Sequence, residues 1–223
     1  MDLKFEHQLD DIAIRIGIVT VRNIDINIYP DGFQTELEKE VQSVQDGLDP
    51  KRETFRQAGR EMLRNGSYKP TGRSKPSSEY LLREATKDNF PGINPIVDIN
   101  NLISLRYMVP ISLWDLDRAP SSHVIFRLGE EGESFEFNSA GQHIDLKDLI
   151  TGFAVDGDQQ HPMINPVKDA LATKTADDTV NVGAAVYYPI NAGSDGHLQK
   201  LLDEFGEWLS KVGSNATTTS CIV

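Results

Sequence analysis

The 223-residue chain is 39% apolar and 25% charged, enough to bury a core without staples, so a disordered or disulfide-framed protein is excluded. Its one cysteine, Cys221, cannot cross-link within the chain and fits a reducing compartment. A net charge of −12 opposes indiscriminate binding to nucleic acid or anionic membrane.

The polar N-terminus lacks the order of a signal peptide, and no apolar run approaches the ~20 residues that cross a bilayer, so a cytoplasmic protein without membrane contact is expected. Alternating Ile12, Ile14, Ile16 and Ile18, extended by Val19 and Val21, predict a strand buried on both faces. Phe33, Leu37, Val41, Val44 and Leu48 recur at helical steps. A second helix starts near Pro50 and fades at Asn65-Gly66, and Gly66, Pro70, Gly72 and Pro76 mark a loop over 65–76. Between 51 and 87 stand ten Lys/Arg against four Glu, a local balance of +6 that leaves −18 for the remainder. That segment is either a solvated helix pair or an anion-binding face. Arg52, Arg56, Arg60, Arg64, Arg73, Lys75 and Arg83 would supply the positive charge.

Pro76-Ser77-Ser78-Glu79 reads as a serine-capped start of a third helix, and Asn94-Pro95 as the start of a fourth. After Pro110 the period changes to two, with strands predicted around 124–126, 135–137, 153–155 and 180–188. A last amphipathic helix covers about 195–211, and residues 214–223 are expected to be a disordered tail. This order predicts an α+β fold in a single domain, 1–213: an N-terminal strand and helical half packed on a mostly antiparallel sheet, closed by a C-terminal helix.

There is no Gly-rich phosphate loop, no HExxH, no cysteine cluster and no nucleophile elbow, and the five histidines lack metal-ligand spacing. No cofactor is expected. What remains is polar residues set among aliphatics: Asp98, Asn100 and Asn101 in 93–102, then Ser112, Asp115, Asp117 and Arg118 in 109–118. Such groups need partners if buried. They are either structural anchors or the lining of a pocket.

The run INPIVDINNL–SL–VPISLWDLDR, followed by VIFRL and GEEGESF, resembles the tRNA-binding and editing domain of bacterial phenylalanyl-tRNA synthetase beta subunits, over roughly residues 50–210. Arg60, Lys75 to Glu79 and Leu81-Leu82-Arg83 are closer still to freestanding members of that family. The resemblance implies a pocket for the 3′-terminal adenosine and amino acid of a tRNA, where a mischarged ester is hydrolysed. The family's Thr-Asn pair falls on Asn100-Asn101, its histidine on Ser112 and a Gly-Gly turn on Asp169-Ala170. Its tyrosine-sensing glutamate falls near Ala185, so tyrosine discrimination through that position is not expected. Asp169 is the nearest acid to take the role.

By this resemblance Ser112 and Asn101 are the catalytic candidates, with Asn100, Asn101, Asp98, Ser112 and Asp169 binding substrate. Arg56, Arg60, Arg64, Arg73, Lys75 and Arg83 would meet acceptor-stem phosphates. No ligase domain is present in this sequence. A non-catalytic module for a free amino acid or nucleoside stands as the alternative, and hydrolysis of another small ester or amide as a third.

Overall fold

The isoleucine-rich segment is the spine of the molecule. In the computed structural model, which describes residues 3–223, the chain order begins β1 (Lys4–His7), β2 (Ile14–Arg22), α1 (Phe33–Ser43), α2 (Pro50–Met62), α3 (Ser77–Ala85) and α4 (Pro95–Tyr107). It continues through β3 (Ile111–Asp115), β4 (His123–Leu128), β5 (Ser134–Glu136), β6 (His143–Asp145), β7 (Ile150–Asp156) and β8 (Gln159–Ile164). It ends with β9 (Asn181–Pro189), α5 (Asp195–Leu209) and β10 (Thr217–Ile222). The α+β class and the single domain are as predicted.

One sheet runs β10-β2-β9-β3, entirely antiparallel. A second runs β1-β4-β7-β8, antiparallel except for the β1–β4 pair, and β5-β6 form a separate ribbon. Because side chains alternate across a strand, β2 serves two cores. Val19 and Val21 pack with α4 and α5, while Ile14, Ile16 and Ile18 pack against the second sheet. The result is three layers, helices on sheet on sheet. Gly17 lets α5 approach closely, since a Cβ there would lie 2.8 Å from Leu202 Cδ2.

Helix α4 is buried nearly all round, as a central helix must be. Asn94 caps it, accepting from the Val97 N–H at 3.0 Å, with Pro95 in the first turn. At α3 the capping position is held by Pro76 and no side chain caps the helix; Ser77 is already helical.

The tail is corrected outright. Residues 217–222 pair antiparallel with β2, from Thr217↔Arg22 to Ile222↔Gly17, and Thr219 Oγ1 lies 2.7 Å from Thr20 Oγ1. Val223 exchanges backbone hydrogen bonds with Ile16, so the domain runs past 213. Main-chain pairing, which needs no apolar pattern, orders this polar segment. Among the described residues no helix is long and apolar enough to cross a membrane.

Candidate functional site

The polar residues of α4 and β3 divide between the two cores. Asp98 is an anchor: Oδ1 accepts from the Ile93 N–H at 2.8 Å and Oδ2 from the Tyr29 hydroxyl at 2.6 Å. Burial and that carboxylate push the Tyr29 phenol up to about 12. Both Asp98 oxygens therefore have partners within the fold. Asn100 and Asn101 are buried side by side, Nδ2 to Oδ1 at 3.5 Å, and Asn100 Oδ1 has no protein partner.

Ser112 faces the other way. Its strand neighbours Ile111 and Leu113 belong to the helix-side core, whereas Trp114 belongs to the sheet–sheet core. Ser112, 1% exposed, donates to the Asn165 carbonyl at 2.8 Å, and the Tyr187 hydroxyl lies 3.3 Å away. Ser112 thus points to the opposite face of the sheet from the core into which the aliphatic residues of α4 pack. The β3–β9 register sets Ala185 directly opposite Ser112.

Asp169 reaches the same strand, its Oδ2 accepting from the Leu113 N–H at 3.2 Å. Although the residue is partly exposed, Oδ1 is sealed from solvent and has no protein partner, nor does the neighbouring Asn165 Nδ2. Burial pushes the carboxyl up to about 7, against smaller opposing effects of Ser112 and the Leu113 N–H. Tyr187 is held well above the usual phenol range by the same burial. The sequence signal singled out Ser112 and Asp169; Asn165 and Tyr187 were missed, because partners 53 and 75 residues from Ser112 leave no spacing to read.

Asp115 and Asp117 are structural. Asp115 accepts from Thr179 Oγ1 at 2.7 Å, the Asp117 N–H at 2.8 Å and Arg118 Nε at 3.2 Å; Asp117 accepts from Asn181 Nδ2 at 2.8 Å.

The expected positive face is largely neutralised. Arg52 pairs with Glu40 at 2.8 Å and Asp49 at 2.6 Å, Arg56 with Glu53 at 2.5 Å and with Glu79, and Arg60 with Glu79. Arg64 pairs with Glu61 at 2.9 Å and Arg83 with Glu84 at 2.7 Å. A guanidinium already in a carboxylate fork has little charge to offer a phosphate. A phosphate reaching Arg56, Arg60, Arg64 or Arg83 would have to compete with these carboxylates.

Arg73 differs. It lies in a cleft of about 670 Å³ between the 67–74 loop and the β5–β6 ribbon, with Lys69, Lys147 and Lys168. Lys75 is half-buried and outside that lining. Among the described residues no group of three His, Cys, Asp or Glu side chains is placed to hold a metal.

Comparison with known proteins agrees with the geometry of the central segment. The B3/4 domain family profile matches residues 68–192, from the cleft loop to the end of β9. A phenylalanine–tRNA ligase beta subunit of Carboxydothermus hydrogenoformans is 29% identical over 119 residues, 52% of this chain and 14% of that protein. One from Oceanobacillus iheyensis is 37% identical over 59 residues, 26% of this chain and 7% of the relative. The crystal structure of an N-terminal fragment of the phenylalanyl-tRNA synthetase beta subunit from Pyrococcus horikoshii superposes with a TM-score of 0.53 at 11% identity, covering 100% of this chain and 56% of the fragment. At that identity the likeness is one of fold.

Proposed function

The chain belongs to the B3/4 domain family, and from that premise we propose that it recognises the aminoacyl-bearing 3′ end of a tRNA at the polar cluster around Ser112. The observation that carries this reading is that Asn165 Nδ2 and Asp169 Oδ1, both buried and without protein partners, lie against the Ser112 strand. Leaving such atoms unsatisfied costs about 1–3 kcal/mol each. A ligand's carbonyl, amine or hydroxyl would satisfy them. Asp169, beside the strand that faces Ala185, is the acid placed to meet a polar group on the ligand side chain. Admission of a ligand requires the 165–173 segment to lift from β3, because Ser112 has almost no exposed surface. Asn100 and Asn101 would act from the other side of the sheet, as positioning groups of α4. A role on tRNA would place the chain in the cytoplasm.

Hydrolysis of a mischarged ester in trans is the second reading, and Asp169 favours it. A carboxyl titrating near 7 can take and return a proton at neutral pH. Ser112 would then hold the attacking water or the developing oxyanion, with Asn101 acting only as a positioning group of α4.

Tyrosyl-, phenylalanyl- and alanyl-tRNA, with uncharged tRNA beside them, test both. The binding reading expects charged tRNA to be preferred, and the preference to fall when Asp169 is replaced by Ala. The hydrolytic reading expects deacylation that Ser112→Ala and Asp169→Asn slow. If charged and uncharged tRNA behave alike and no ester is cleaved, both readings fail. Calorimetry with free amino acids and adenosine then examines the small-molecule module.

A further inference from the structure

The cleft beside this cluster is a separate feature. Its walls are built rather than incidental. Ser67 donates to Asp148 Oδ2 through its backbone N–H at 2.7 Å and its hydroxyl at 2.6 Å, tying the 67–74 loop to the turn before β7. Gly66 makes that tie possible: it sits at φ +47, and a Cβ there would lie 2.4 Å from the Asp148 carboxyl. Tyr68 closes the loop on itself by donating to the Ser74 carbonyl at 2.9 Å. On the opposite wall Lys174 Nζ donates to the Phe137 carbonyl at 2.6 Å.

Into this frame project Lys69, Arg73, Lys147 and Lys168, with Asp145 the carboxylate among them and His143 at the edge. Lys147 is paired to Glu131 at 2.8 Å, and Asp145 Oδ1 accepts from the Lys147 N–H at 2.9 Å. Lys69, Arg73 and Lys168 make no ion pair among the described residues. The Lys168 ammonium instead lies 3.5 Å over the Phe137 ring. Burial and the nearby Arg73 and Lys174 hold its pKa below the usual lysine range, as crowding of like charges requires. On a chain of net charge −12, three cations without carboxylate partners thus gather at one cleft, Lys69 and Arg73 exposed and Lys168 half-buried, a concentration of positive charge that suits an anion. Tyr68, Phe137 and Ile144 add an apolar and aromatic wall, and a volume of about 670 Å³ suits a ligand of nucleotide size.

We propose that this cleft binds a phosphate monoester, its phosphate held by Lys69, Arg73 and Lys168 and its organic part against Phe137 and Tyr68. Two sources carry that chemistry, a free mononucleotide and the phosphorylated end of an RNA. The proposal does not depend on aminoacyl recognition at Ser112.

Calorimetry with AMP, adenosine and inorganic phosphate, and with a short RNA bearing or lacking a 5′-phosphate, tests it on the full chain. AMP or the phosphorylated RNA is expected to bind at least tenfold more tightly than its unphosphorylated counterpart. AMP binding assigns the site to free nucleotides; binding of the phosphorylated RNA alone assigns it to RNA ends. Arg73→Gln and Lys168→Met, which keep most of the side-chain volume, are each expected to weaken that ligand about tenfold, while Lys39→Gln, a charge change on α1, leaves it unchanged. Circular dichroism confirms that the variants fold. Equal affinity for ligands with and without phosphate, no binding of either phosphorylated ligand, or full affinity in both cleft variants would overturn the proposal.

Discussion

Along α2 and just past its end each arginine faces a carboxylate, Arg52 with Glu40 and Asp49, Arg56 with Glu53, Arg60 with Glu79 and Arg64 with Glu61. In the neighbouring cleft Lys69, Arg73 and Lys168 face one another. Both regions contribute to the same basic stretch of sequence or lie against it, yet only the second keeps its charge available. A count of residues over 51–87 cannot separate them, because Glu40 lies outside that window and Glu79 lies 19 residues from Arg60. Asp169 is the counterpart of the cleft on the acidic side, a carboxyl buried without a full set of partners.

The largest expected effect comes from Asp169. Its folded carboxyl is pushed up to about 7 from an ordinary 3.8. Between those values the folded chain holds a proton that the unfolded chain has released, so stability falls as pH rises through that window and stays lowered above it. Asp169→Asn removes the ionisation. At pH 8 the variant should be more stable than the parent by up to about 4 kcal/mol, and at pH 4 the two should nearly coincide. Denaturant unfolding at both pH values measures this, and parallel pH profiles would refute it.

Breaking a paired charge should act in the opposite sense. Glu79 is buried between Arg56 and Arg60, and Glu79→Ala leaves two guanidinium groups with less compensation. A loss of about 2 kcal/mol is expected, less than for a fully buried pair because both arginines keep some solvent. The same variant should gain affinity for short RNA through the freed arginines, which a salt-dependent titration reads directly. Arg64→Ala, at an exposed i,i+3 pair with Glu61, should change stability by no more than about 0.5 kcal/mol.

The helices were legible in the sequence because their apolar stripes and caps are local: Asn94-Pro95 opens α4, and Leu198 to Leu209 face the core from α5. Strands β3 and β6 were not predicted, and neither were β1, β8 and β10. Lys4–His7 is held by parallel pairing to β4, Gln159–Ile164 contains Pro162 and two glutamines, and Thr217–Ile222 has little apolar content. Their order comes from main-chain bonds to strands distant in sequence, which side-chain periodicity does not report. At the candidate site, Ser112 and Asp169 were found by resemblance to a family. Asn165, Tyr187 and Lys168 became visible only when the second sheet and the ribbon were packed beside β3.

The central claim is that accessible positive charge resides in the cleft and not along α2. Titration of inorganic phosphate into the isotopically labelled chain, followed by amide and side-chain resonances, tests it residue by residue. Shifts confined to residues 67–74, 142–147 and 168, with α2 unmoved, are the predicted result. Shifts centred on Arg52 to Arg64, with Arg73 and Lys168 silent, would contradict it.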